Sequence, residues 1–501
     1  MKFRGGQALK NSPPGALCHT QPRAAREDWL VFLYNPSLLR QEMTGVPGSM
    51  KLPFARSATL LALTLFFGLI GAAFSHADNG PGFSREAAKL NQRGLDHLHK
   101  KEYEQAIASF REALKIQPEY PDALDNLGKA LEATGKDAEA IENFDKAIKI
   151  APEKAAVYAD KGLAFFHEGK YEDAAASYRQ AIEHHRDFSE AQNGLGASLL
   201  HLGKNDEAIA AFRLAIASNP KNADALGNLG TALLSENKAD EALSFLRKAH
   251  SLRPDSPDVL ENYALALDQA GQTHEAIAAY HKLTSKHPDQ PGPWERLGHL
   301  YDKSKRYDQA AAAFHESLAL KQDQPGVLLA LGQTQADQGK LSDAIQSFEK
   351  CLALKPEEFY ATYNLGNAYY AQKDYEKAAA SYEKAYAQKQ DYPESLVGLG
   401  ASQLASNKFD AAIVTYQKLV PLKPEDANIR FNFGTALFNA GKYQDAAAQY
   451  REAVRINPAF AHAHYNLGMA LLRLNDAKSA QTEFAEAHRL DANLSPPLAS
   501  K

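Results

Sequence analysis

Small and large apolar residues return along this chain on a period much longer than one helix. Glycine stands at 94, 128, 162, 196, 230, 298, 332, 366, 400, 434 and 468, every 34 residues, with Ala264 in the one remaining place. Twelve residues after each comes alanine, at 106, 140, 174, 208, 242, 276, 310, 344, 378, 412, 446 and 480. Four further on stands a large apolar residue: Phe110, Phe144, Tyr178, Phe212, Leu246, Tyr280, Phe314, Phe348, Tyr382, Tyr416, Tyr450 and Phe484. The phase never slips. This spacing predicts two helices per unit joined by a tight turn. The joining segment carries Gly135, Gly169, Gly203, Gly271, Gly339 or Gly441, or else Asn237, Asn407 or Asn475. Both residue types tolerate the left-handed backbone that closes a helix. Proline at 118, 152, 220, 254, 288, 356, 424 and 458 is expected to end the second helix, which it cannot continue. Glycine in mid-helix costs about 1 kcal/mol, so its recurrence needs a packing reason; the small residues are expected where the two helices cross and their backbones approach.

With small residues at unit positions 8 and 20, an aromatic at 24 and proline at 32, the chain resembles the tetratricopeptide repeat. Residues 359–392 carry the pattern most fully, running Tyr363-Asn364-Leu365-Gly366-Asn367-Ala368-Tyr369-Tyr370 through the first helix. Units begin at 87, 121, 155, 189, 223, 257, 291, 325, 359, 393, 427 and 461, and the last ends at 494. Departures are local: Arg93 and Lys161 replace leucine at unit position 7, and Arg186, Gln322, Gln390 and Ala492 replace the proline. The resemblance implies an all-α, right-handed α-solenoid superhelix of twelve helix-turn-helix units, the first helix of each lining a concave inner face. That superhelix is similar to the one in O-linked N-acetylglucosamine transferase, without its catalytic domain.

Charge and cysteine content narrow the function. The net charge is −5, but residues 1–77 carry eight Lys/Arg against three Asp/Glu, which leaves −10 for the rest. A mildly acidic body with no basic stripe is a poor polyanion binder, so nucleic acid is not an expected partner. Cys18 lies ahead of the repeats and Cys351 stands alone within them, which argues against a thiolate zinc site. His99, His167 and His201 share one unit position, yet neighbouring helix axes about 10 Å apart separate them too far for a shared metal. No metal and no cofactor are expected.

The amino-terminal segment reads as an export signal. Lys51 and Arg56 precede an apolar run from Ala58 to Phe74, and Ser75-His76-Ala77 follows with small residues at the cleavage positions. Two outcomes stay open: cleavage after Ala77, or retention of residues 57–76 as a membrane anchor, the run being long for a signal. Lys51 and Arg56 keep the amino end cytoplasmic either way, so the repeats are expected outside the cytoplasm, in the periplasm. Residues 1–49 lack periodicity and read as a disordered upstream extension ahead of a true start at Met50, and 495–501 as a short tail.

Function is expected to reside in the groove. Asn126, Asn228, Asn262, Asn364, Asn432 and Asn466 share unit position 6 and form a partial ladder, with Asn367 close by. Each amide offers one acceptor and two donors, suited to gripping peptide backbone whatever its side chains. Tyr360, Tyr363, Tyr370, Phe431, Phe438 and Tyr465 add aromatic surface of the kind that marks binding faces. The expected function is a non-catalytic protein-interaction scaffold in the cell envelope that holds an extended polypeptide segment. The alternatives are a self-assembling part of an export or polysaccharide-secretion complex, and a partner of a glycosyltransferase. After export only residues 78–86 and 495–501 are expected to lie outside the repeats, too few for a catalytic domain, and no nucleophile elbow or phosphate loop occurs.

Overall fold

The computed structural model describes residues 84–494; the expected export signal, the stretch before it and the tail from 495 lie outside the described residues. The described residues form 24 α-helices and no strand, in two compact units that divide between Asp289 and Gln290. The first unit holds α1 (Arg85–His99), α2 (Tyr103–Ile116), α3 (Pro121–Glu132), α4 (Asp137–Ile150), α5 (Ala155–His167), α6 (Tyr171–His184), α7 (Ser189–His201), α8 (Asn205–Ser218), α9 (Ala223–Ser235), α10 (Ala239–Leu252), α11 (Pro257–Gln269) and α12 (Thr273–Lys286). The second holds α13 (Pro291–Lys303), α14 (Tyr307–Leu320), α15 (Pro325–Asp337), α16 (Leu341–Leu354), α17 (Phe359–Ala371), α18 (Tyr375–Gln388), α19 (Glu394–Ala405), α20 (Phe409–Leu419), α21 (Ala427–Asn439), α22 (Tyr443–Ile456), α23 (Ala461–Arg473) and α24 (Ala477–Leu490). Each unit is a stack of six hairpins, an all-α solenoid. Odd-numbered helices are the A helices and even-numbered ones the B helices. No helix among the described residues is long and apolar enough to cross a membrane.

Each hairpin closes in the same way. The backbone turns left-handed once per unit, at Gly135, Gly169, Gly203, Gly271, Gly339 and Gly441 and at Asn237, Asn407 and Asn475, as the composition of the turns predicts. After α3, for example, the Gly135 N–H donates to Glu132 and the Lys136 N–H reaches back to Leu131, satisfying carbonyls the helix end leaves free. The other three turns place Lys101, Lys305 and Lys373 at φ of 61°, 58° and 67°. A side chain in this region is strained by about 1 kcal/mol or more, because Cβ crowds the carbonyl oxygen. Changing any of the three lysines to glycine is therefore expected to stabilise its hairpin by roughly 0.5–1 kcal/mol in chemical denaturation, the strain relieved outweighing the added freedom of the unfolded chain. An unchanged or lower midpoint would show that the lysine stem repays its strain.

Proline is not what ends the B helices. Where Arg186, Gln322, Gln390 and Ala492 stand in its place, α6, α14, α18 and α24 still stop at His184, Leu320, Gln388 and Leu490, the same register as α2 at Ile116. The stop therefore does not depend on proline at that position, which reinforces it where it is present.

The core explains the small residues differently from the sequence expectation. Ala106, Ala140, Ala344 and Ala446 at unit position 20 are fully buried, as are Phe110, Phe144, Phe314 and Phe348 at position 24. The glycines of the A helices make room for these rings rather than for a neighbouring backbone. A Cβ added to Gly94 or Gly128 would lie 2.4 Å from Cε1 of Phe110 or Phe144, and one on Gly298 or Gly332 would lie 2.5 Å from that of Phe314 or Phe348. Cys351 belongs to this core: it is fully buried and its thiol donates to the Pro325 carbonyl at 3.2 Å. Burial pushes that thiol up to about 11. In the native chain Cys351 is expected to resist alkylation at neutral pH, and mass-resolved iodoacetamide labelling checks this; prompt reaction would mean that α16 opens readily.

Candidate binding face

Adjoining A helices meet at unit positions 5 and 6 (Asn91–Asn126, Asn193–Asn228), 9 and 6 (Lys129–Asp160) and 12 and 13 (Glu132–His167), which lie along one face of a helix. Asn126 on α3 donates to Asn91 on α1 at 3.1 Å, and Asn228 on α9 repeats this with Asn193 on α7 at 3.0 Å. These two ladder asparagines thus pair with an amide of the preceding hairpin. Asn466 is buried and hydrogen-bonds the Tyr450 hydroxyl, which in turn donates to Thr435 at 3.2 Å. Asn364 is 5% exposed; its Oδ1 accepts from Asn367 at 3.3 Å, while Asn367 Oδ1 accepts the Tyr382 hydroxyl at 2.6 Å. Nδ2 of Asn364 has no hydrogen-bond partner among the described residues, an expensive state for a buried donor. Asn262 and Asn432 are half-buried.

The aromatics expected on this face divide into two groups. Tyr363 and Phe431 are packing residues, only 4% and 7% exposed. Tyr363 meets Tyr382 and Tyr392 edge-on at 5.7 and 5.3 Å, and Phe431 lies against Tyr450 and Phe460 at 5.8 and 4.9 Å. Tyr360, Tyr370, Phe438 and Tyr465 remain half-buried and present ring surface. Tyr370 and Phe438 are each braced edge-on by the first residue of the following B helix, Tyr375 at 5.3 Å and Tyr443 at 5.2 Å. Bracing of this kind holds a ring in place without covering it.

A charged seam between repeats 2 and 3 went unread in the sequence. The ammonium of Lys129 on α3 lies 2.8 Å from Asp125 on the same helix and 3.0 Å from Asp160 on α5. One turn further along, His167 Nδ1 on α5 lies 3.2 Å from Glu132 on α3. Burial pushes Asp160 up to about 7, helped by the carboxylates of Asp125 and Glu132 and opposed by Lys129. Burial also raises Glu132, against the pull of His167. His167 is raised by the Glu132 carboxylate beside it, which outweighs its own burial. Lys129 stays protonated, since the two aspartates overcome the penalty of burying it. The signal available in sequence was Asp125, Lys129 and Glu132 at helical spacing on one face; their partners on the next hairpin lie more than 30 residues away. The third of the aligned histidines, His201, stacks on Tyr171 at 4.3 Å, apart from His167. Among the described residues no three metal-ligating side chains converge.

Models of the tetratricopeptide repeat match residues 85–153, 159–223, 202–257, 233–297, 267–333, 329–393, 369–430 and 461–494, and a further model of the same repeat matches 434–475. Solved structures similar to this chain include YrrB, described as a tetratricopeptide repeat protein with an unusual peptide-binding site, at 23% identity over 36% of this chain and 94% of that one, TM-score 0.34. The Cut9–Hcn1 hetero-tetramer of the APC/C matches at 17% identity over 82% of this chain and 94% of that one, TM-score 0.33. The pilF protein of Pseudomonas aeruginosa matches at 22% identity over 42% and 96%, TM-score 0.37. Comparison with curated proteins gave no match. An array of such hairpins is a protein-interaction scaffold. With its repeats matched along almost all of residues 85–494, the chain belongs to the tetratricopeptide repeat family.

Proposed function

We propose that the protein is a non-catalytic scaffold of the cell envelope that holds an extended polypeptide segment on the A-helix face of its repeats. The observation carrying this reading is the combination, within repeats 9 to 12, of half-buried rings at Tyr360, Tyr370, Phe438 and Tyr465 with amides at Asn364 and Asn432. Braced rings give contact area at low entropic cost, and amides give backbone hydrogen bonds indifferent to sequence. Location outside the cytoplasm follows from the export signal read in residues 50–77. Self-assembly within a larger export complex is the second reading; concentration-dependent mass in light scattering would favour it.

The test is a peptide selection from a random displayed library on the full chain, followed by fluorescence anisotropy. Tyr370→Ser together with Asn432→Ala is expected to weaken the selected peptides about tenfold or more, the usual scale for losing a ring and a hydrogen bond at an interface. Helical circular dichroism is expected to stay unchanged, because neither side chain is fully buried. Unaltered affinity in a folded variant removes this face from the proposal.

A further inference from the structure

Between repeats 2 and 3 the A-helix face carries charge where the asparagine pairs of its neighbours are neutral. Two contacts cross the same seam from α3 to α5: Lys129 bridges Asp125 and Asp160, and Glu132 meets His167. Three carboxylates therefore face one fixed cation. Glu132 is 6% exposed and Asp125 14% exposed as side chains, and Asp125 Oδ1 has no hydrogen-bond partner among the described residues. The surrounding helices do not supply the missing positive charge. From α4 comes Asp137, whose field acts on both Glu132 and His167. Lys161 on α5 is drawn away to Asp145 of α4 at 2.6 Å. Glu168 at the end of α5 is matched by Lys170 at 2.9 Å, and α6 contributes the neutral phenol Tyr178. The equivalent positions are neutral on α1, where Asn91 stands, and on α7, where Asn193 and Gly194 stand.

We propose that this network is a proton-operated clasp: proton uptake by Asp160 and by the Glu132–His167 pair cancels the surplus negative charge and tightens the seam between the A helices of repeats 2 and 3. With His167 neutral, the two carboxylates gripping Lys129 repel each other and Glu132 is buried against an uncharged ring. Protonated, His167 becomes an ion-pair partner for Glu132, and a neutral Asp160 still accepts from Lys129 across the seam while no longer repelling Asp125. All the raised groups act in one direction. An acid raised by folding destabilises the fold above its folded value, and a histidine raised by folding stabilises it below. The seam therefore tightens as pH falls through about 7, the position of Asp160. The consequence is that acidity sets the stiffness of this stretch of the A-helix face, whatever the face holds.

The experiment is amide exchange read by mass spectrometry on the full chain at about pH 6 and about pH 8, corrected for intrinsic rates. Protection of peptides from 121–167 is expected to rise about tenfold at the lower pH relative to peptides from 325–371, one unit of displaced titration being a tenfold change in equilibrium. Asp160→Asn combined with His167→Gln is expected to abolish that rise while helical circular dichroism is retained. An equal rise in the double variant, or no rise in the parent, overturns the clasp. Should the double variant fail to fold, imidazole resonances of the parent decide. His167, assigned from His167→Gln alone, is expected to titrate above the ordinary histidine midpoint of about 6.5, and a midpoint at or below it overturns the proposal.

Discussion

Replacing Phe348 with alanine is expected to cost about 3–5 kcal/mol, the range for removing a fully buried ring from a core that cannot collapse. Phe348 has no exposed surface, and its ring edge fills the space that Gly332 leaves by lacking a side chain. Removing the ring thus opens a void walled by a residue with nothing to move into it. Leu246, the aliphatic counterpart in repeat 5, fills the same place against Gly230, and its loss is expected to cost less, about 2–4 kcal/mol, since fewer atoms are removed. Because an array of hairpins opens piece by piece, the readout is local: amide exchange across α15 and α16, together with alkylation of Cys351 one turn away on the same helix. If Phe348→Ala loosens α16 no more than Leu246→Ala loosens α10, ring packing is not what holds the hairpin shut.

The converse substitution is expected to be nearly as damaging. Valine at Gly128 would put a Cβ 2.4 Å from Cε1 of Phe144, a ring with no exposed surface to swing into. Overpacking of this sort costs about 1–3 kcal/mol, and the branched side chain adds crowding within the helix, so a loss near 3 kcal/mol is expected. Gly366 provides the internal control. A Cβ there meets Tyr382 at 3.0 Å, a contact eased by a shift of a few tenths of an ångström. Alanine's helix preference of about 1 kcal/mol over glycine then offsets the strain, and Gly366→Ala is expected to change stability by less than about 1 kcal/mol. Urea midpoints of the two variants check the contrast; equal losses would mean that helix preference, not ring clearance, governs these positions.

How much of this was legible in the sequence depends on how far apart the cooperating residues lie. The helices, their order and nine of the twelve left-handed turns followed from residues within one hairpin, because glycine and asparagine announce the backbone they permit. Lys101, Lys305 and Lys373 announce nothing; two packed helices impose their conformation from outside. The role of the glycines was half legible. Position and spacing pointed to tight packing, but the partner is a ring on the B helix rather than a backbone. Tyr363 and Phe431 belong to a face by helical spacing alone, yet each ring packs against the residue that closes its own unit, Tyr392 or Phe460, and is buried there. The charged seam is the extreme case, since Lys129 and Asp160 become partners only once two hairpins lie side by side.

Within each stack every helix touches its sequence neighbours, and the A helices also touch the A helix of the adjoining hairpin. Interactions of such short reach make the structure modular in a mechanical sense. Excising one complete 34-residue period would bring together two hairpins that present the same complementary surfaces as the pair they replace. Lengthening or shortening by any other number of residues would shift one side of the joint out of phase with the other. Selection acting on such a chain has whole periods as its natural unit of change, with the span offered to a guest growing or shrinking by one hairpin at a time.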